Sequence, residues 1–168
     1  MTQLPDKFKL QVAQLLGQEE VDGLCRALLE EPTVSVRVNR AKAGCPPQDV
    51  ENERVPWCET GYYLSSRPSF TLDPLFHAGT YYVQEASSMF IEQAFKTMDF
   101  QPQRMLDLCA APGGKSTLWR SLLPDGALLV ANEPIRQRAM ILLENLTKWG
   151  HPDVVVTNAY PERIGKSR

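Results

Sequence analysis

The sequence predicts an α/β protein in two parts. Residues 1–72 form a small N-terminal α+β module, and residues 73–168 form the first half of a Rossmann-like fold, three parallel strands with their helices. Three observations carry this prediction. Residues 104–159 run strand, helix, strand, helix, strand, the mononucleotide-binding half of a doubly wound sheet. The turn after the first of these strands, "CAAPGGKST", is rich in glycine and opens a helix. The second strand ends on an acid, Glu133, twenty residues past Gly113. Dinucleotide folds place a carboxylate for ribose hydroxyls at that interval.

In the first part, "PDKFKLQVAQLLG" sets Phe8, Val12, Leu15 and Leu16 on one helical face and closes at Gly17. "QEEVDGLCRALLEE" repeats the pattern through Val21, Leu24, Leu28 and Leu29, and Pro32 ends it. "TVSVRVNR" alternates Val34, Val36 and Val38 with Ser35, Arg37 and Asn39, as a half-buried strand does. Gly44, Pro46, Pro47 and Pro56 make residues 41–60 irregular, and "GYYLSS" reads as another short strand.

From Asp73 the pattern changes. "QEASSMFIEQAFKTM" predicts an apolar-faced helix through Ala86, Met89, Phe90 and Phe95. "RMLDLCA" predicts a buried strand, "GKSTLWRSLL" a helix ended by Pro124 and Gly126, and "ALLVANE" a second buried strand. "PIRQRAMILLENLTKWG" is a long helix with Pro134 at its start and Gly150 as its C-cap. "DVVVTNA" is the third strand.

Composition bounds the function. Apolar residues make up 43% and charged residues 23%, the balance of a globular domain. A net charge of −2 leaves only local basic surface for nucleic acid. No apolar run approaches the ~18 residues of a membrane span, and "MTQLPDKFKL" lacks the features of a signal peptide. Cys25, Cys45, Cys58 and Cys109 form no C-x-x-C. That spacing argues against a metal site or disulfide scaffold and for a reducing, cytoplasmic compartment. His77 and His151 lie far apart and read as surface or turn residues.

Right-handed crossovers bring the loops at the carboxyl ends of the three strands to one crevice. The glycine turn 110–115, Glu133 and Asn158 fall there, Asn158 near where an adenine would lie. Gly114, Lys115 and Ser116 also fit the second half of a phosphate loop, G-x-x-x-x-G-K-S/T, but Cys109 stands where its first glycine belongs. With Glu133 as a ribose reader, the crevice suits an adenosine better than a triphosphate. Asp107 has two readings, a charge for a cationic sulfonium or amino group, or a cap on the loop's own amides. Lys115 either faces a ligand or RNA or is a solvated lysine at a helix start.

"DLCAAPGGKST", preceded by "YYVQEASSM", resembles the Sun (Fmu-type) family of RNA cytosine-5 methyltransferases, and within it the RsmF-like branch acting on bacterial 16S ribosomal RNA. The resemblance spans nearly the whole chain and takes in "VSVRVNR" and "DPLFHAGTYYVQEASSM". It implies a Rossmann-like methyltransferase domain, S-adenosyl-L-methionine as cofactor, and RNA, here ribosomal RNA, as partner. It implies a cofactor loop of Cys109, Ala110, Ala111, Pro112, Gly113, Gly114 and Lys115, with Glu133 on the ribose. Gln84, Glu85 and Ser87 become substrate-side candidates, and residues 1–72 an RNA-positioning module. The family's Asp after the third strand falls on Tyr160 here, so Asn158 is the substitute on the adenine side.

The family's chemistry uses one cysteine thiolate that adds to carbon 6 of cytosine and a second that assists product release, in Pro-Cys and Thr-Cys motifs on later strands. Neither motif occurs in this sequence. The chain is therefore expected to hold the N-terminal module and the first half of the fold, with the nucleophile beyond Arg168 and no activity alone. Cys109 reads as shaping the cofactor loop, although a thiolate at a helix start is activated. The open edge of "RMLDLC" predicts self-association through strand pairing. Two other functions stay in view: a non-catalytic RNA- or cofactor-binding module, and a phosphate-loop nucleotide-binding protein, against which Cys109 and Glu133 argue. Arg37, Arg40, Lys42, Arg54, Arg67, Arg136, Arg138 and Lys148 are scattered basic residues. Trp57, Tyr62, Tyr63, Tyr81 and Tyr82 read chiefly as core.

Overall fold

The computed structural model describes residues 4–42 and 52–166. The expectations for Gly44, Cys45, Pro46 and Pro47 lie outside the described residues. The chain forms two compact units, Met1–Thr33 and Val34–Arg168.

The first unit is a pair of helices, α1 (Asp6–Leu16) and α2 (Gln18–Ala27), joined at Gly17 with φ 89°. α2 ends short of the expected Pro32, because the amides of Leu29 and Glu30 bond three residues back and tighten the chain into a turn. Val21 is buried, whereas Leu15, Leu16, Leu28 and Leu29 are exposed. Two helices this short offer too little surface to cover each other's apolar stripe.

The second unit carries two sheets. The first is antiparallel, in the order β2–β3–β1–β4, from β1 (Val34–Val38), β2 (Asn52–Arg54), β3 (Gly61–Leu64) and β4 (Tyr81–Val83). β2 lies inside the stretch expected to be irregular, and β4 is too short for its alternation to be read. β1 differs from the half-buried strand its pattern predicts. Val36 packs with Leu64, Phe70 and Tyr81 on one side, but Ser35, Arg37 and Asn39 on the other side are buried too. Each is held by hydrogen bonds within the protein, for example Ser35 Oγ donating to the Gln84 carbonyl at 2.6 Å, although Arg37 Nη1 has no partner among the described residues. The short helix α3 (Pro74–His77) opens with Asp73 Oδ1 accepting from the Leu75 amide at 2.8 Å and proline in its first turn.

The single helix expected over residues 84–98 is two: α4 (Ala86–Met89) and α5 (Ile91–Lys96), with Phe90 exposed at the joint. Ala86 and Met89 of the expected apolar face are buried, and Glu92 is buried as well. Its Oε1 accepts from the Glu59 amide at 3.2 Å and pairs with Lys96 at 2.9 Å. Periodicity cannot see a buried carboxylate whose partner is distant in sequence.

The second sheet is parallel, in the order β5–β6–β7: β5 (Arg104–Asp107), β6 (Leu128–Asn132) and β7 (Val154–Thr157). Its crossovers are α6 (Gly114–Leu122) and α7 (Arg136–Trp149), and α8 (Pro161–Ile164) follows β7. α7 stops at Gly150, left-handed with φ 82° and its amide on the Leu146 carbonyl, as the sequence predicts. One face packs Ala131 on Leu142 and Leu146, and Leu129 on Leu123 and Ala127. The opposite face leaves Leu106, Leu128 and Val155 exposed. β5 is consequently an edge strand covered on one side and not the buried strand its apolar run predicts: among the described residues it pairs with β6 alone.

Candidate functional site

β5 ends at Asp107, whose carboxylate is turned into the following loop. Oδ1 accepts from the Cys109 amide at 3.3 Å and Oδ2 from the hydroxyl of the buried Ser116 at 2.7 Å. Of the two readings of Asp107, the cap describes the geometry. The Ala110 amide donates to the Asn132 carbonyl at 2.9 Å and pins the loop to β6. Asn145 Nδ2 and Tyr82 Oη both donate to the Pro112 carbonyl, at 2.8 and 3.3 Å, and Arg138 donates to that of Ala111 at 3.1 Å.

The two glycines are needed on the inner side of the turn. Gly113 caps α6 with φ 111°, and a Cβ there would lie 3.3 Å from Leu142 Cδ1. A Cβ at Gly114 would lie 3.3 Å from Tyr82 Cε1. The loop is thus drawn tight against α7 and β4 while Cys109, Pro112 and Lys115 stay exposed. The Lys115 side chain has no hydrogen-bond or ion-pair partner among the described residues.

Glu133 follows β6 and is buried. Its Oε1 accepts from the Ile135 amide at 3.0 Å, and its Oε2 lies 3.6 Å from the half-exposed Arg138. Asn158 Nδ2 donates to the carbonyls of Glu133 at 2.7 Å and Pro134 at 2.9 Å, so Asn158 shapes the turn that holds the acid. Tyr160 is exposed.

Two residues that the sequence pattern does not place at this site hold these parts together, and one of them, Arg37, stands among the basic residues considered for RNA but is buried. Asn132 is fully buried at the end of β6. It donates to the Leu108 and Ala159 carbonyls at 3.2 and 2.9 Å and accepts from Thr157 Oγ1 at 2.9 Å, joining all three strand ends. A polar residue closing an apolar strand run, directly before the acid, is the signal that could have found it. Arg37 is fully buried in β1. Its Nε donates to Gln84 Oε1 at 2.9 Å, its Nη2 donates to the Gly114 carbonyl at 3.3 Å and to Thr117 Oγ1, and its guanidinium lies 4.4 Å over the Trp149 ring. Burial pulls its pKa down to about 10. Gln84 is therefore turned inward, while Glu85 and Ser87 stay on the surface, Ser87 Oγ donating to Glu85 Oε1 at 2.8 Å.

Two family profiles match this chain. The N-terminal domain of 16S rRNA methyltransferase RsmF matches residues 4–86, and 16S rRNA methyltransferase RsmB/F matches residues 97–166. The chain belongs to the RsmB/F family of 16S rRNA methyltransferases. The RsmB/F match contains the glycine turn, Glu133 and Asn158, and the RsmF N-terminal match contains Arg37, Tyr82 and Gln84. A ribosomal RNA small subunit methyltransferase F from Aeromonas hydrophila is 34% identical over 94% of this chain and 36% of its own length. One from Shewanella sp. is 33% identical over 94% and 35%. The chain thus spans about a third of the length of the curated RsmF relatives it matches. Among solved structures, a methyltransferase homolog protein from Pyrococcus horikoshii is 28% identical with a TM-score of 0.79, over 97% of this chain and 55% of that one. NSun6 from Pyrococcus horikoshii with SFG has a TM-score of 0.76 at 15% identity, over 97% and 67%, a likeness of fold.

Proposed function

We propose that this chain is the cofactor-binding and RNA-positioning part of an S-adenosylmethionine-dependent ribosomal RNA cytosine-5 methyltransferase. One observation carries the proposal: the Gly113–Gly114 turn and the Glu133 carboxylate stand at the carboxyl ends of adjacent parallel strands, β5 and β6. That is where a doubly wound sheet receives an adenosine. The residues present fit the group. A Cβ would crowd the turn at either glycine, and the Ile135 amide already orients Glu133 Oε1. Arg138 yields Oε2 to a ribose hydroxyl, and Cys109, Ala110, Ala111, Pro112 and Lys115 complete the wall. When bound, S-adenosylmethionine supplies a methyl group on a sulfonium. Glu133 accepts from the ribose, Asn158 holds the turn beneath it, and Gln84 acts through Arg37 while Glu85 and Ser87 face RNA. Residues 1–72 position the RNA and 73–168 hold the cofactor, in a cytoplasm whose reducing poise suits the free thiols of Cys25, Cys58 and Cys109.

Calorimetry tests this. S-adenosylhomocysteine binds the chain, magnesium ATP does not, and Glu133→Ala weakens binding roughly 10- to 100-fold, the loss of a charged hydrogen-bond acceptor. Tight magnesium ATP binding with none of S-adenosylhomocysteine overturns the reading. In this proposal the chain alone transfers no methyl group to ribosomal RNA, and turnover by the 168 residues would show that its nucleophile lies within them.

The uncovered β5 edge, with Leu106 and Leu128 beside it, also supports self-association of the isolated chain. Light scattering is expected to show a dimer that Leu106→Lys returns to monomer. A wild-type monomer at high concentration contradicts it.

A further inference from the structure

Behind the cofactor loop lies a cavity of about 260 Å3 that the reading above leaves unused. Phe70, Phe76, Tyr82 and Trp149 line it, and Arg67 and Lys148 carry its positive charge. Its lining is mainly apolar and aromatic. Both cations lie over rings: Arg67 Cζ is 5.7 Å from the centre of Phe70, and Lys148 Nζ is 5.7 Å from that of Phe76. Arg67 is exposed and has no ion pair among the described residues, while Lys148 pairs with Glu144 at 2.6 Å. A guanidinium held over a ring keeps its edge free for an oxyanion. The matching ligand has an unsaturated body for the cavity and an anion for its rim, which describes a nucleotide.

The cavity also adjoins the cofactor loop. Tyr82 lines it and donates from Oη to the Pro112 carbonyl, and Asn145, also in its wall, donates to the same oxygen at 2.8 Å. We propose that this cavity takes one nucleotide of the substrate RNA other than the target, its base among the rings and its phosphate at Arg67 and Lys148. The inference rests on the RNA methyltransferase reading and adds a second point of hold on the strand. A base seated here keeps the RNA in register with a target presented at the cofactor crevice, through the loop that both share.

Fluorescence anisotropy with a short single-stranded RNA tests the proposal on the intact chain. Arg67→Glu is expected to weaken binding at least tenfold and to lower the slope of log affinity against log salt by about one. Arg163→Glu, an exposed charge reversal outside the cavity, should lose much less, and S-adenosylhomocysteine binding should stay unchanged in both variants. RNA carrying 4-thiouridine should photocross-link within residues 67–83. Cytidine monophosphate should compete only weakly, and tighter binding of the free mononucleotide would overturn the assignment to RNA. Wild-type RNA binding with Arg67→Glu silent, or equal losses in both variants, sinks the cavity alone. No RNA binding by the wild type sinks the RNA-positioning reading with it.

Discussion

Gly79→Ala is expected to destabilise the chain by roughly 3 kcal/mol or more, among the largest effects of any single substitution in it. Gly79 has φ 70°, and a Cβ there would lie 2.0 Å from the Lys148 carbonyl oxygen and 2.5 Å from its carbon. Both are backbone atoms in the last turn of α7 and cannot rotate aside. The joint is further tied by Asn39 Nδ2, which donates to the Gly79 and Trp149 carbonyls at 3.1 and 2.9 Å. Lys42 Nζ donates to the Ala78 and Lys148 carbonyls at the same place. Relieving the clash means parting α7 from the turn before β4 and giving up these bonds together. Gly126→Ala is the control: φ is 77°, but a Cβ meets nothing within 4 Å. It should cost about 1 kcal/mol, the strain of a left-handed alanine alone. Urea unfolding of the two variants checks the difference. Equal costs would mean that close approach at Gly79 adds nothing.

Arg37→Met should cost roughly 3 kcal/mol and also loosen the glycine turn. The substitution leaves Gln84 Oε1, the Gly114 carbonyl and Thr117 Oγ1 without their charged donor in a buried setting. Two of these three belong to the first turn of α6, directly after the glycine turn. Methionine nearly fills the volume, so the loss reports hydrogen bonding more than a cavity. Arg37→Lys should not rescue, since a lysine cannot reach three separate acceptors while lying flat over Trp149. In the pair Arg37→Met and Gln84→Leu, the double variant should cost clearly less than the sum of the singles. Denaturation with calorimetry for S-adenosylhomocysteine decides the matter. Unchanged cofactor affinity in the folded Arg37→Met variant would make the network purely structural.

The parallel sheet with its two crossovers is legible because each signal is local. Gly150 stops α7 through its own backbone, and Gly113 sets the start of α6 in the same way. β4 and the break at Phe90 are illegible for the opposite reason. "YYV" becomes a strand only by pairing with β1, and the helix splits at Phe90, whose amide bonds three residues back to Ser87, while Glu92 is held by the Glu59 amide from 33 residues away.

For the candidate site, the sequence by itself determined the residue set: a glycine turn, an acid twenty residues on, and an amide after the third strand. Short-range rules suffice there, since turn chemistry and strand–helix spacing place these groups at one end of a sheet. Only the tertiary structure decided what each group does. It put Asp107 and Asn158 to work on the backbone, buried Arg37 against Gln84 and α6, and left β5 an exposed edge. Burial and hydrogen-bond partnership depend on neighbours forty to eighty residues away, as with Arg37 and its partners Gln84 and Thr117. No local pattern in the chain encodes that distance.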